Sequence, residues 1–171
     1  MTPTNKRLRL SSMTNKNDAD EIIPRIWLGN VRSSVDENFI RSENIQVVFN
    51  CTKDLPFSYG IPVKYRVPVD DNLQEEEIRN MELWSAEIAQ KLLKEYNSGR
   101  TILVHCYAGM QRSAACVAFL LIALYGKHAQ DTMAFIQERR SVAFTPRANF
   151  ERSIQYFDTM WHQRILPMIK T

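Results

Sequence analysis

Residues 101–126, TILVHCYAGMQRSAACVAFLLIALYG, constrain the fold more than any other stretch of the chain. The run TILVH is short and almost wholly apolar, the pattern of a strand buried on both faces in the middle of a parallel sheet. From Ala114 to Tyr125 the chain is apolar nearly all the way round a helix, and it stops at Gly126, a residue suited to a left-handed C-cap. A strand and a helix that are apolar on every side both need cover from further elements. The chain must therefore build a layered α/β domain around them.

The flanking sequence supplies that cover. RIWLG (25–29), QVVFNCT (46–52) and VKYRVPV (63–69) read as strands, and SVDENFIRSENI (34–45) as a short helix. KDLPFSYGIP (53–62) reads as a loop from its prolines and glycine. Residues 75–99 form an amphipathic helix, with Ile78, Met81, Trp84, Ile88, Leu92 and Tyr96 on one stripe and three glutamates in the first turn. AQDTMAFIQERR (129–140) is a further helix. Thr145-Pro146 reads as an N-cap followed by proline at the first helical position, opening a last helix striped by Phe150, Ile154, Phe157 and Trp161. The expected architecture is α/β, a central, mostly parallel, twisted sheet flanked by helices, over a single domain at 21–171. Residues 1–20 are polar with few bulky apolar side chains, and read as a flexible tail.

Composition excludes several classes. Apolar residues make up 44% and charged residues 24%, ordinary for a soluble globular domain. The net charge of +3 is too small to argue for nucleic acid, and the one basic block is Lys6, Arg7 and Arg9. The longest apolar run falls short of the ~20 residues that span a bilayer, so no membrane partner is expected. Three cysteines with no C-x-x-C pair argue against a disulfide framework and for a reducing, intracellular compartment, and no secretory leader is expected. The histidines at 105, 128 and 162 are scattered without metal-ligand spacing, so neither metal nor cofactor is expected.

Between Cys106 and Arg112 lie Tyr107, Ala108, Gly109, Met110 and Gln111, joining the C-terminal end of a strand to the start of a helix. Ligands of open α/β sheets bind at that edge. A tight loop there turns successive N–H groups inward into an anion nest, and the helix N-terminus adds its own free N–H groups and positive dipole end. Gly109 can take the positive φ such a loop needs. Arg112 can close the ring with a planar, two-pronged donor matched to phosphate oxygens. A thiol at the base of that ring loses its proton readily, so the features that bind a phosphate dianion also ready Cys106 to attack it. Cys116, one turn past Arg112 in the apolar helix, reads as core.

The segment HCYAGMQRS resembles the signature of the cysteine-dependent protein tyrosine phosphatases, His-Cys-x-x-Gly-x-x-Arg-Ser/Thr. IIPRIWLGN, IQVVFNCT, YRVPVDDN and FTPRANFERSIQYF resemble segments of the compact dual-specificity branch. The resemblance implies that fold over about residues 22–160. It implies hydrolysis of phosphotyrosine and phosphoserine/threonine in proteins through a phosphocysteine. Cys106 would be the nucleophile, Arg112 and the loop 107–111 the phosphate cradle, and Ser113 a donor to the sulfur. Matching VPVDD to the family's acid segment places the general acid at Asp71, with Asp70 as the fallback. His105 would orient the loop, and Asn50 would hydrogen-bond to it. In some relatives a nearby cysteine traps the oxidised nucleophile, a role open to Cys51, which otherwise reads as buried filler. Gln111 departs from the family, which often has Ser there, and so does Ser153, where Gln is common.

Three alternatives follow from the same resemblance. A phosphoinositide phosphatase would often carry lysines in the loop, where this chain has the uncharged Tyr107, Met110 and Gln111. An RNA 5'-triphosphatase would typically read Arg-Thr-Gly where this chain reads Arg112-Ser113-Ala114. A phosphoprotein-binding module without turnover usually lacks the cysteine, the acid or the arginine, and all three positions are filled here.

Overall fold

The computed structural model describes residues 17–170, together with the backbone of 7–9. Six strands form one sheet: β1 (Arg7–Arg9), β2 (Asn17–Ile23), β3 (Ile26–Gly29), β4 (Val47–Asn50), β5 (Val63–Arg66) and β6 (Ile102–His105), in the order β1-β2-β3-β6-β4-β5. β3, β6, β4 and β5 run parallel, while β1, β2 and β3 pair antiparallel. Every residue of β3, β4 and β6 is buried, as continuous apolar runs in a two-faced sheet require.

Alternation sorts their side chains into two cores. Ile26, Leu28, Val47, Phe49, Ile102 and Val104 join the larger core, under α3 (Glu75–Asn97), α4 (Arg112–Tyr125), α5 (Ala129–Arg139) and α6 (Glu151–Met160). Trp27, Val48 and Leu103 face the smaller one, where Trp27 meets Phe39 edge-on at 5.0 Å. Helix α4 is buried without interruption from Ser113 to Ile122, because the sheet lies on one side of it and α3, α5 and α6 on the others. Gly126 ends it at φ 68°, and its N–H caps Ile122 O at 2.8 Å.

The structure departs from the sequence reading at four places. The expected tail at 1–20 gives way to strand β2 from Asn17, where Asp18 and Asp20 are buried. Polar composition does not prevent a strand whose polar groups find partners: Asn30 Nδ2 donates to Asp18 Oδ1 at 2.8 Å, and Asp20 pairs with Arg140 at 2.9 Å. Residues 1–6 and 10–16 lie outside the described residues. The single helix expected at 34–45 is two, α1 (Val31–Val35) and α2 (Glu37–Ser42). Asp36, in extended backbone, ends the first, and its carboxylate caps the second by accepting the Phe39 N–H at 3.1 Å. The strand expected at 63–69 stops at Arg66. Finally, Thr145-Pro146 does not open the last helix, which begins at Glu151; the Thr145 hydroxyl donates to Val142 O at 2.7 Å and leaves no helix N–H capped. After α6 the chain widens through one π-turn (Trp161–Ile165) into α7 (Leu166–Lys170).

Candidate active site

β6 ends at His105 and α4 begins at Arg112, so the loop 106–111 bridges the carboxyl edge of the sheet and a helix N-terminus. Neighbouring backbone secures it: Cys51 N–H donates to His105 O at 2.8 Å, and Val31 N–H to Tyr107 O at 3.0 Å. At Gly109, φ is +67°, and an added Cβ would lie 2.5 Å from the carbonyl carbon and oxygen of Gly29 and 2.8 Å from Arg140 Nη2. No residue with a side chain fits there.

Arg140 holds the loop in its orientation. Its Nε donates to Gly109 O at 2.7 Å and its Nη2 reaches Ala108 O at 3.4 Å, while Nη1 binds Asn17 O at 3.0 Å and Asp20 Oδ2 at 2.9 Å. The guanidinium and the Asp20 carboxylate are both almost wholly buried. Loop carbonyls drawn outward to a buried cation leave the opposite faces of their peptides, the N–H groups, turned the other way. Gly109 N–H donates to Cys106 Sγ at 3.3 Å, and Ser113 Oγ lies 3.1 Å from the same sulfur. Burial by itself would raise the Cys106 thiol. The Ser113 hydroxyl and N–H, the Arg112 charge and the Gly109 N–H outweigh it and hold the thiol below its ordinary value.

Arg112 Nη1 donates to Val69 O at 3.0 Å, which ties the end of the 67–71 segment to the loop. Its Nε–H is buried and has no hydrogen-bond acceptor among the described residues. Beyond Val69 the two candidate acids diverge. Asp70 turns to Lys53, at 3.1 Å, and its N–H donates to Glu77. Asp71 lines a pocket of about 260 Å³ together with Cys106, Met110, Arg112, Thr145 and Asn149. Asn149 Nδ2 donates to Asp71 Oδ1 at 2.9 Å. Asn149 is itself held by Gln111, whose Oε1 accepts the Asn149 N–H at 2.9 Å and whose Nε2 donates to Thr145 O and Arg147 O at 3.1 and 2.8 Å. The loop's unusual glutamine thus connects the helix start, through one backbone turn, to Asp71. Tyr107 and Ala108, both exposed, line the same pocket.

His105 is fully buried, with Nδ1 at 3.3 Å from Cys106 O; burial pushes its pKa down to about 4, so the ring is neutral. Asn50 does not reach the loop as expected. Its amide donates to Leu55 O at 2.7 Å and accepts from the Thr52 hydroxyl at 2.6 Å, because the chain turns back on itself directly after β4. Cys51 is buried 3.6 Å from Cys116, sulfur to sulfur, and all three cysteines are free. A larger groove of about 390 Å³ lies between β5 and α3, but no cysteine, serine or histidine lines it. Sequence reasoning missed Arg140, Asp20 and Asn149. Asp20 and Arg140 are far apart in the chain, and no local pattern joins them.

Comparisons with known proteins give the family and the fold. The family model for the dual specificity phosphatase catalytic domain matches residues 26–160. Mouse dual specificity protein phosphatase 2 is 29% identical over 140 residues, covering 81% of this chain and 42% of that protein. The Mpk3 dual specificity phosphatase of Drosophila melanogaster is 28% identical over 155 residues, covering 88% and 36%. The chain therefore spans about two fifths of the length of these curated relatives. Among solved structures, human DUSP28 superposes with a TM-score of 0.73 at 21% identity, covering 88% of this chain and 99% of that one. Over the greater part of its length, this chain belongs to the family of dual specificity phosphatase catalytic domains.

Proposed function

We propose that the chain is a cysteine-dependent protein phosphatase that hydrolyses phosphotyrosine and phosphoserine/threonine monoesters, with no cofactor, in an intracellular, reducing setting. The observation that carries this reading is the sulfur of Cys106, held between the Ser113 hydroxyl and the Gly109 N–H, with its pKa held below that of an ordinary thiol.

The Cys106 thiolate attacks phosphorus in line, forming the S–P bond as the P–O bond to the substrate breaks. Asp71 gives its proton to the departing oxygen. Arg112 and the loop N–H groups take up the charge on the three equatorial oxygens, and the Arg112 Nε–H is a buried donor suited to one of them. Water then attacks the phosphocysteine and Asp71 removes its proton. The thiolate leaves with Ser113 donating to it, and inorganic phosphate is released. Asn149 grips Oδ1 of Asp71, so Oδ2 is the oxygen free to carry the transferred proton.

Uncharged Tyr107, Met110 and Gln111 favour phosphoprotein over more heavily phosphorylated lipid headgroups or RNA ends. The test compares a phosphopeptide with an aryl phosphate bearing a good leaving group. Asp71→Ala should slow the phosphopeptide by about 10²–10⁴-fold, the range for a lost general acid, and the aryl ester much less. Equal slowing of both would reject Asp71 as the acid, and tight phosphopeptide binding by the unmodified chain without turnover would reject the enzyme.

A further inference from the structure

His128 and His162 are far apart in sequence, yet their rings stack at 4.3 Å between centroids. His128 stands just before α5, and His162 lies in the π-turn after α6. Between them is Asp158, one turn before His162 on the same helical face. Its Oδ1 lies 3.0 Å from His128 Nδ1 and 2.7 Å from His162 Nδ1. The three ligand atoms all fall within 4.8 Å of one another.

We propose that His128, Asp158 and His162 form a binding site for a first-row divalent transition metal ion, Zn²⁺ foremost. Two imidazoles and a carboxylate suit such an ion, with bonds of about 2.0–2.2 Å, and leave one tetrahedral position for water. The outer contacts are those of a prepared site. His162 Nε2 lies 3.0 Å from Gly126 O, and Asp158 Oδ2 accepts the Ala129 N–H at 2.7 Å. An N–H donated to a carbonyl from the far side of the imidazole fixes the tautomer that turns the Nδ1 lone pair toward the metal. His162 Nδ1 also lies 3.0 Å from Asp158 O and 2.7 Å from Asp158 Oδ1, so without an ion a proton shared with the carboxylate holds the arrangement, and the metal would take that proton's place. His128 is largely exposed, which gives the ion a way in. The bound ion would clasp the turn after α4 to the end of α6, a structural role separate from phosphate chemistry.

The test is calorimetric titration of the full chain carrying Cys106→Ser with Zn²⁺ near neutral pH, the substitution removing the thiolate as a competing ligand. One ion should bind per chain. His128→Ala and His162→Ala should each weaken binding by at least about tenfold, the lower end of what even outer contacts are worth. Circular dichroism checks that each variant is folded, and His128→Ala, at an exposed position, is the one least open to a folding explanation. With Co²⁺ in place of Zn²⁺, the visible spectrum should show nitrogen and oxygen ligands. No binding, undiminished affinity in His128→Ala, or a thiolate-to-cobalt charge-transfer band would overturn the proposal. None of these readouts depends on phosphatase activity.

Discussion

At Cys106 two effects oppose each other. Removing a thiol from water disfavours its anion, while hydrogen bonds to the sulfur and a nearby guanidinium favour it, and here the second group wins. The rate should therefore rise with pH from the acid side as the thiolate forms, at values below those of a free cysteine. The acid limb of the kcat/KM profile checks this: it should lie below the range in which a free cysteine ionises, and a limb at or above that range would contradict it. His105, neutral above about pH 4, contributes no limb near neutrality. At Asn149 the effect is one of aim. Asn149→Ala frees the Asp71 carboxyl, and loss of one such hydrogen bond, about 1 kcal/mol, corresponds to roughly fivefold in rate. That loss should appear with phosphopeptides and be nearly absent with a good aryl leaving group. Cys106 and Arg112 were legible in the sequence as a pair because they bracket one short loop between a strand and a helix, and Ser113 through the family resemblance alone. The division between Asp70 and Asp71 was not legible from spacing, since adjacent residues differ only in which neighbours the fold gives them. Lys53 and Glu77 take the first, and Asn149 the second.

The element that most shapes the site is the loop 106–111, and its geometry is set from outside itself. Arg140 ends α5, yet it anchors two loop carbonyls and the first residue of β2. Arg140→Leu removes a buried cation paired with the Asp20 carboxylate, together with its hydrogen bonds to the loop carbonyls, and should lower stability in urea denaturation by up to about 3–5 kcal/mol. Phosphatase activity should fall with it even where the variant is folded, because the loop amides lose their fixed direction. If stability is unchanged, the pair does not hold the loop. Strands and long helices were readable because burial writes itself into period and apolarity: ILVH and VVFN need no context. The turn at 141–150 was misread for the opposite reason. Thr145 and Pro146 have the chemistry of a helix start, but Gln111 captures the carbonyls of Thr145 and Arg147 and delays the helix to Glu151.

For the whole molecule, the parallel strands sit at the centre of the sheet, and the antiparallel β1–β2 pair extends one side. That extension is where polar residues expected in a tail became sheet, because partners remote in sequence satisfy Asp18 and Asp20. The meeting of His128 and His162 was invisible for the same reason: spacing along a chain does not report which turns the packing of α4, α5 and α6 brings side by side. The carboxyl edge of the sheet, by contrast, was legible from the sequence as a ligand-binding edge, and Cys106, Arg112 and Asp71 meet there in one pocket. The decisive experiment is rapid acid quench of the intact chain during turnover of a ³²P-labelled phosphopeptide, followed by peptide mapping. Label should be found on the peptide containing Cys106 and be absent in Cys106→Ser, which should also show no turnover. Turnover that survives in Cys106→Ser, or label on any other residue, would show that the sulfur is not the group that takes the phosphoryl.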